Sequence, residues 1–199
     1  MTPSERFAEA LGYASQLHAQ QKRKGTEVPY VAHLLAVAAI ALEHGANEDE
    51  AIAAALHDAI EDQGGAETGV EIERRFGPAV RAIVEGCTDA DVTPKPPWRA
   101  RKEAYVAHLA DASPSVLLVS ASDKLHNARA ILADLRDLGD ALWSRFSGGK
   151  DGTLWYYRAL VEAFRPRARP RLVAELDRVV TEIERLAGQS ASTKAYPGT

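Results

Sequence analysis

Apolar residues recur along this chain at helical spacing, and no segment shows the strict alternation of apolar and polar residues that is typical of a half-buried strand. The segment RLVAELDRVVTEIERLAG, residues 171–188, has the spacing of an amphipathic helix. The segment YVAHLLAVAAIAL, residues 30–42, is apolar on nearly every side and therefore predicts a buried helix. We expect an all-α protein, a bundle of about 8–10 helices.

Capping residues, glycines and prolines predict where these helices begin and end. Asn47 and Glu50 form a capping box that begins one helix, and Gly64-Gly65 ends it. Thr2-Pro3-Ser4-Glu5 predicts a similar start for the first helix, and Ser113-Pro114 begins a long one. A Pro-rich loop is expected over residues 88–97. The predicted helices cover approximately residues 5–21, 30–44, 48–63, 71–76, 78–85, 114–135, 153–164 and 171–187.

Composition narrows the class of protein. The 199 residues suit one domain over 1–187, followed by a loose tail over 188–199, and 46% hydrophobic with 26% charged residues is usual for a soluble globular protein. No leader segment and no membrane span stand out, and the single Cys87 cannot form an internal disulfide, so we expect a cytoplasmic protein. The net charge of −4 argues against nonspecific nucleic-acid binding. A homodimer is left open.

Four ionisable side chains share one side of the predicted helix AIAAALHDAIED. At about 100° per residue, His57, Asp58, Glu61 and Asp62 fall within roughly 140° of arc. Such acids are often only solvated, as on any amphipathic surface helix. A neutral imidazole beside a carboxylate is, however, also a ligand pair for a transition metal.

Two further candidate ligands lie far away in the sequence. His33 is the one hydrogen-bonding side chain after Tyr30 in an otherwise apolar helix, and Asp123 stands where the apolar run VLLVSAS turns polar. Taken singly, His33 is more often a core histidine bonded to a carbonyl, and Asp123 could be a cap or a surface acid. Together with His57 and Asp58 they offer two imidazoles and two carboxylates, which suit Mn²⁺, Fe²⁺ or Zn²⁺.

These residues lie in motifs that resemble those of the HD superfamily of phosphohydrolases, and most closely the hydrolase domain of RelA/SpoT homologues and the free-standing small alarmone hydrolases. The motifs occur in the order and spacing of that family over roughly residues 5–165. They are HAQQKRKGTEVPYVAH (18–33), AALHDAIED (54–62), FG (76–77), CTD (87–89) and SDKLHNAR (122–129).

The resemblance implies an HD-domain helical bundle, a Mn²⁺ cofactor and roles for particular side chains. It implies that His33, His57, Asp58 and Asp123 hold the metal. Glu61 and Asp62, one turn beyond the His57-Asp58 pair, would orient or deprotonate the attacking water, and spacing does not decide which of them is the base.

The residues that contact the substrate have the least specific signals in the sequence. The resemblance implies that Arg23 stacks on the base beside Lys24 and that Asn127 contacts the substrate, although a surface Asn is as common. The remaining candidates are Lys124 and Lys150 for the phosphates and Tyr30 as a pocket wall. An aromatic side chain at helical spacing is, however, more often part of the core.

The leading hypothesis is a metal-dependent pyrophosphohydrolase that removes the 3′-pyrophosphate of (p)ppGpp or a related alarmone such as (p)ppApp. It would release GDP or GTP, or the adenosine analogue, and pyrophosphate. Leu34, Gln63 and Ser120 depart from the family pattern and leave the choice between guanosine and adenosine open. The alternatives are an HD-type nucleotide phosphatase or phosphodiesterase of other specificity and a nonenzymatic helical nucleotide sensor.

Overall fold

The computed structural model describes residues 4–89 and 96–193, and within them every regular element is helical. The all-α prediction is therefore confirmed for these residues. A 3-10 helix over Gly139–Arg145 joins α8 to α9. The α-helices are α1 Glu5–Leu17, α2 Val31–Glu43, α3 Glu48–Leu56, α4 Ala59–Asp62, α5 Gly65–Phe76, α6 Pro78–Cys87, α7 Trp98–His108, α8 Pro114–Leu138, α9 Gly149–Phe164 and α10 Pro170–Thr193.

Helices α2 and α8 form the centre of the bundle because both are apolar on more than one side. Helix α2 packs against α1, α3 and α8, and α8 also contacts α3, α6, α9 and α10. Leu34, Val37 and Ala41 of α2 are buried. One hydrophobic cluster extends from Phe7 to Ala187, so the helices share a single core.

Several predicted helix ends are confirmed. Asn47 and Glu50 form both hydrogen bonds of a capping box, and the Ser113 side chain accepts from the backbone N–H of Val116 with Pro114 at the first helical position. Gly45, after α2, has a φ of +83°, a conformation that glycine adopts without a steric penalty.

The single helix predicted through the His57-Asp58 pair is wrong, because the α-helix is interrupted at these two residues. Asp58 has φ −97° and ψ 0°, outside the α region. The His57 ring Nδ1 lies 2.8 Å from the carbonyl oxygen of Ala54. The helical hydrogen-bonding pattern resumes at once, since the Asp62 N–H donates to the Asp58 carbonyl at 2.9 Å. The interruption thus reorients the His57 and Asp58 side chains, while α4 follows α3 without an intervening loop.

Helix α7 was not predicted at all. Its sequence WRARKEAYVAH is rich in charge, and Tyr105 is its one fully buried residue, so the apolar periodicity is weak. Trp98 attaches this helix to the start of α9, where Gly148 and Gly152 of the predicted GGKDG loop lie under its ring. A Cβ on Gly148 would lie 2.5 Å from that ring. Gly148 is the N-cap of α9, which begins at Gly149 rather than at Thr153.

Two smaller predictions concern helix boundaries. Helix α5 begins at Gly65 rather than at Glu71. Helix α10 continues to Thr193, so a tail that begins at residue 188 is wrong for 188–193. Thr2, Pro3, residues 90–95 of the expected Pro-rich loop and residues 194–199 of the expected tail lie outside the described residues.

Candidate active site

Four side chains from three parts of the fold converge at the centre of the bundle. The His33 Nε2 atom lies 3.5 Å from Asp58 Oδ2 and 3.2 Å from Asp123 Oδ1. The His57 Nε2 atom lies 2.9 Å and 3.6 Å from the same two oxygens. The predicted ligand set is therefore brought together, with His33 from α2, the His57-Asp58 pair from the α3–α4 junction and Asp123 from α8.

Hydrogen bonds behind the predicted ligands fix their orientation. The Nδ1 atom of His57 pairs with the Ala54 carbonyl oxygen, so its proton lies there and Nε2 is left to face the centre. The Nδ1 atom of His33 lies 2.7 Å from Nδ1 of His126. Sequence reasoning missed His126, although it lies within the SDKLHNAR motif.

Tyr30, predicted as a pocket wall, also holds Asp58, one of the predicted ligands. Its hydroxyl donates to Asp58 Oδ2 at 2.7 Å, and its ring stacks on His18 with centroids 5.2 Å apart. Burial and the nearby Asp58 raise the pKa of this hydroxyl above its ordinary value. Tyr30 therefore remains a donor to Asp58 at all ordinary pH values.

A second chain of hydrogen bonds ends at Asp123. Its two carboxylate oxygens accept from the side chains of Lys124, at 2.6 Å, and Asn127. Asn127 in turn accepts from Arg23 Nη2 at 2.6 Å. Asn127 follows Asp123 by four residues on α8, so both side chains lie on one helix face. Of the predicted substrate residues, Asn127 thus contacts the predicted ligand set directly, and Arg23 is linked to it through Asn127.

The loop before α2 presents the basic pair to this face. The Arg23 N–H donates to the Val28 carbonyl at 2.8 Å, and the Tyr30 N–H donates to the Gln21 carbonyl at 2.9 Å, which folds the loop back on itself. Gly25 at the turn has a φ of +74°, in the region that favours glycine. The Arg23 guanidinium carbon lies 5.7 Å from the centroid of the Tyr30 ring.

Glu61 and Asp62 lie on α4, immediately beyond the ligand pair, and they have different partners. Asp62 Oδ2 accepts from the Gln21 amide at 2.8 Å. Glu61 Oε2 accepts from the backbone N–H of Asp89 at 3.2 Å, and its other oxygen lies 3.9 Å from Arg101 Nη1. Glu61 is therefore held from the side of α7, and Asp62 from the loop after α1.

A cavity of about 700 Å³ lies beside the cluster, and His33, Tyr30 and Tyr156 are among the residues that line it. Its basic lining residues come from the loop before α2, from α7, from α8 and from the 3-10 helix. They are Lys22, Arg23, Lys24, Arg101, Lys102, Lys124 and Arg145. A cavity with this lining suits a polyanion.

Arg101 and Lys102 were missed because they lie on the unpredicted helix α7. Both donate to the buried carboxylate of Asp89, Lys102 at 2.6 Å. Burial, followed by the repulsion of Lys124, lowers the pKa of Lys102. An anion in the cavity would relieve this repulsion. Asp89, the last residue of the CTD motif, thus holds two cations of the cavity lining.

Lys150 is not brought to the cavity. Its ammonium group donates to the Ala187 carbonyl at 2.7 Å and lies 3.2 Å from Asp140 Oδ1. The reason is that Lys150 lies inside α9, where its side chain reaches α10, and not on a loop as the sequence suggested. Lys150 therefore takes no part in the site proposed below.

Comparison with known proteins places this arrangement in a family. A family model described as an HD domain matches residues 10–154. This chain belongs to the HD-domain family. Guanosine-3′,5′-bis(diphosphate) 3′-pyrophosphohydrolase MESH1 of Xenopus tropicalis is 40% identical over 139 residues, which are 68% of this chain and 73% of that protein. The Homo sapiens protein of the same name is 40% identical over 61% of this chain and 66% of its own length.

A solved structure agrees with the sequence comparison. It is reported as a metazoan ortholog of SpoT that hydrolyzes ppGpp and plays a role in starvation responses. It matches the HD domain described here with a TM-score of 0.77 and 29% identity, over 92% of this chain and 97% of that one. Within residues 4–89 and 96–193, no helix is both long and apolar enough to cross a membrane.

The centre of this HD domain suits a divalent metal ion. His33, His57 and Asp58 each offer a ligand atom within 4.8 Å of the others, and Asp123 Oδ1 lies 3.2 Å and 3.6 Å from the Nε2 atoms of the two histidines. The Nε2 atoms of both histidines are buried without a well-aligned hydrogen bond, although carboxylate oxygens lie close by. Lone pairs that converge on a shared cation would have this arrangement.

Electrostatics favour a positive charge at the same point. Burial alone would lower the pKa of His57, but Asp58 and Asp123 outweigh it and raise that pKa to about 10. The pKa values of both carboxyl groups lie well below the ordinary value in spite of burial, because of His57 beside Asp58 and Lys124 beside Asp123. The two carboxylates therefore remain charged and attract either a proton on His57 or a metal ion.

Proposed function

We propose that this HD domain is a Mn²⁺-dependent pyrophosphohydrolase that removes the 3′-pyrophosphate of (p)ppGpp or a closely related alarmone. The observation that carries the proposal is the buried cluster of two imidazoles and two carboxylates beside a cavity lined by seven basic side chains. The cluster suits a metal that activates water, and the cavity suits a highly charged nucleotide. The names of the relatives support the 3′-pyrophosphate as the group removed.

The proposed reaction is the addition of water to the phosphorus atom attached to the 3′ oxygen. The P–O3′ bond breaks, the 3′ oxygen takes up a proton, and pyrophosphate leaves with the nucleoside di- or triphosphate as the second product. When bound by His33, His57, Asp58 and Asp123, Mn²⁺ would polarise a phosphoryl oxygen and lower the pKa of water.

The protein supplies the remaining groups. Glu61 and Asp62, next to the ligand pair, orient the attacking water and accept its proton. Lys124, Arg101 and Lys102 provide positive charge for the pyrophosphate. This positive charge stabilises the negative charge that develops in the transition state.

Contacts with the nucleoside come from the other side of the cluster. Arg23 and Lys24 lie in the loop before α2, and Asn127 accepts a hydrogen bond from Arg23. A guanidinium plane beside the Tyr30 ring offers a flat surface for a base.

The test is a product assay on purified protein loaded with Mn²⁺. We expect GDP and pyrophosphate in equal amounts from ppGpp, no products after chelation of the metal, and no hydrolysis of GDP itself, which has no 3′-pyrophosphate. Release of phosphate from the 5′ side, or no hydrolysis of any 3′-pyrophosphorylated nucleotide, would overturn the proposal. Metal analysis of the same sample would identify the bound ion.

A further inference from the structure

Among the described residues that line the cavity, Asp134 is the one acidic side chain. Seven basic side chains line the same cavity. A carboxylate is unfavourable in a site built for phosphates, because like charges repel. Asp134 is therefore a candidate for contact with a part of the ligand that is not a phosphate.

The position of Asp134 on α8 shows which part of the ligand it can reach. Asp123 and Asp134 are eleven residues apart, about three helical turns, so they lie on the same face of α8 and about 16 Å apart along its axis. Asn127 and Ala130 lie between them on this face. A nucleoside whose 3′-phosphate lies at the metal cluster extends along this face towards Asp134, whereas a phosphate group alone stays at the cluster.

The part of the cavity wall between Asn127 and Asp134 leaves room for a flat ring. Ala130 has a small side chain and lines the cavity between Asn127 and Asp134. Arg23 lies at the Asn127 end of this face, where its guanidinium group donates to the Asn127 side chain at 2.6 Å. A base that stacks on Arg23 and extends over Ala130 would direct its edge towards Asp134.

Arg145 fixes the carboxylate of Asp134. Its Nη1 atom donates to Asp134 Oδ2 at 2.9 Å, and its side chain lies against Gly25, where a Cβ would come within 2.9 Å of its Nε atom. Among the described residues, the other oxygen, Oδ1, accepts no hydrogen bond. About a third of the Asp134 side chain, 38%, is exposed, so a ligand can reach this oxygen.

We propose that Asp134 selects guanine nucleotides over adenine nucleotides by accepting hydrogen bonds from the N1–H and N2–H groups of guanine. This inference rests on the proposed function, which leaves the base open. Guanine presents two adjacent donors on its Watson–Crick edge, and a carboxylate matches them with charge-assisted hydrogen bonds. Adenine presents an unprotonated N1 at the same place, whose lone pair would face the carboxylate. Arg145 acts as a positioning residue that holds Asp134.

The experiment compares kcat/KM for pyrophosphate release from ppGpp and from its adenosine analogue in wild-type protein, Asp134→Asn and Asp134→Leu, each loaded with Mn²⁺. We expect wild-type protein to prefer guanine. Both variants should lower the guanine-to-adenine ratio by about 10- to 100-fold, the usual effect of losing hydrogen bonds to a charged group. Asp134→Asn should lose guanine activity and keep or gain adenine activity, because an amide can pair with adenine.

Asp137→Asn is the matched control, because Asp137 lies one turn further along α8, is exposed and does not line the cavity. It should leave the ratio unchanged. Arg145→Gln should reduce the ratio by less than Asp134→Asn does, since the carboxylate stays but is less well held. Thermal unfolding of each variant checks that the fold survives.

An unchanged ratio in Asp134→Asn, or an equal rise for both nucleotides, would overturn the inference, because the carboxylate would then only repel phosphates. If wild-type protein releases pyrophosphate from neither nucleotide, the proposed function fails. Calorimetric binding of GDP and ADP to the same proteins still decides the base preference in that case. Equal affinity of wild-type protein for GDP and ADP would refute the role of Asp134 whether or not the protein is a hydrolase.

Discussion

Replacement of His126 by alanine should weaken metal binding although His126 is not a ligand. His33 is 1% exposed, and its Nδ1 atom lies 2.7 Å from Nδ1 of His126. If Nε2 of His33 binds the metal, the proton of this ring must lie on Nδ1, and His126 must accept it. Burial, followed by the charge of neighbouring groups, lowers the pKa of His126 to about 4. His126 is therefore neutral and able to accept at pH 7.

The size of the effect follows from this one hydrogen bond. His126→Ala leaves a buried N–H donor of His33 without an acceptor, which costs about 1–3 kcal/mol. Loss of the partner behind a metal-binding histidine typically lowers metal affinity by about 10- to 100-fold, or roughly 1.4–2.7 kcal/mol. The two estimates agree. We therefore expect the Kd for Mn²⁺ to rise by about one to two orders of magnitude.

The assay is a titration of metal-free protein with Mn²⁺, with the free ion followed by electron paramagnetic resonance. His126→Asn, which keeps an acceptor near the same place, should recover part of the affinity. His108→Ala is the control, because it removes an exposed imidazole that bonds to the Gly86 carbonyl outside the cavity. The reasoning is refuted if His126→Ala binds Mn²⁺ as tightly as the His108 variant does.

Three further predictions concern the proposed ligands, acids and base contact. His57→Ala or Asp123→Ala should lose metal and activity together while circular dichroism still shows a helical fold, and a variant with full metal content would show that the ligand assignment is wrong. Glu61→Gln combined with Asp62→Asn should keep the metal and lower kcat by about 10² or more, and an unchanged kcat would move proton transfer elsewhere. Arg23→Ala should raise KM several-fold at unchanged metal content, and Arg23→Lys should not restore it, because an ammonium group has no planar face. Full recovery by lysine would instead indicate a phosphate contact.

The parts of the fold that could be predicted are those with a strong burial pattern. Helix α2 is apolar nearly all round, and it was placed within one residue at each end. The capping box at Asn47 and the cap at Ser113 depend on local hydrogen bonds that the residue types alone indicate. Helix α7 has neither signal, since one of its residues is fully buried and Pro97 precedes it without a side-chain cap. Its attachment through Trp98 to Gly148 is a contact between distant segments, which no local pattern contains.

The proposed ligands and the proposed substrate contacts also differ in how strongly the sequence indicates them. Histidine and aspartate in an apolar helix are costly unless they are paired, so His33 and Asp123 stand out in the sequence. Arginine and lysine are common on any surface, so nothing local distinguishes Arg101, which enters the cavity, from Lys150, which turns to the end of α10.

Asp89 connects the cations proposed to bind the pyrophosphate with an acid proposed to act on the attacking water. Its carboxylate binds Arg101 and Lys102, and its backbone N–H binds Glu61. The cations proposed for the pyrophosphate and an acid proposed for the water are therefore positioned by one residue, which lies two residues beyond the end of α6 and touches both α4 and α7. A change at Asp89 would alter phosphate binding and proton transfer together. On the proposed function, this would account for a short motif with no proposed ligand in it, CTD, beside the ligand motifs along the chain.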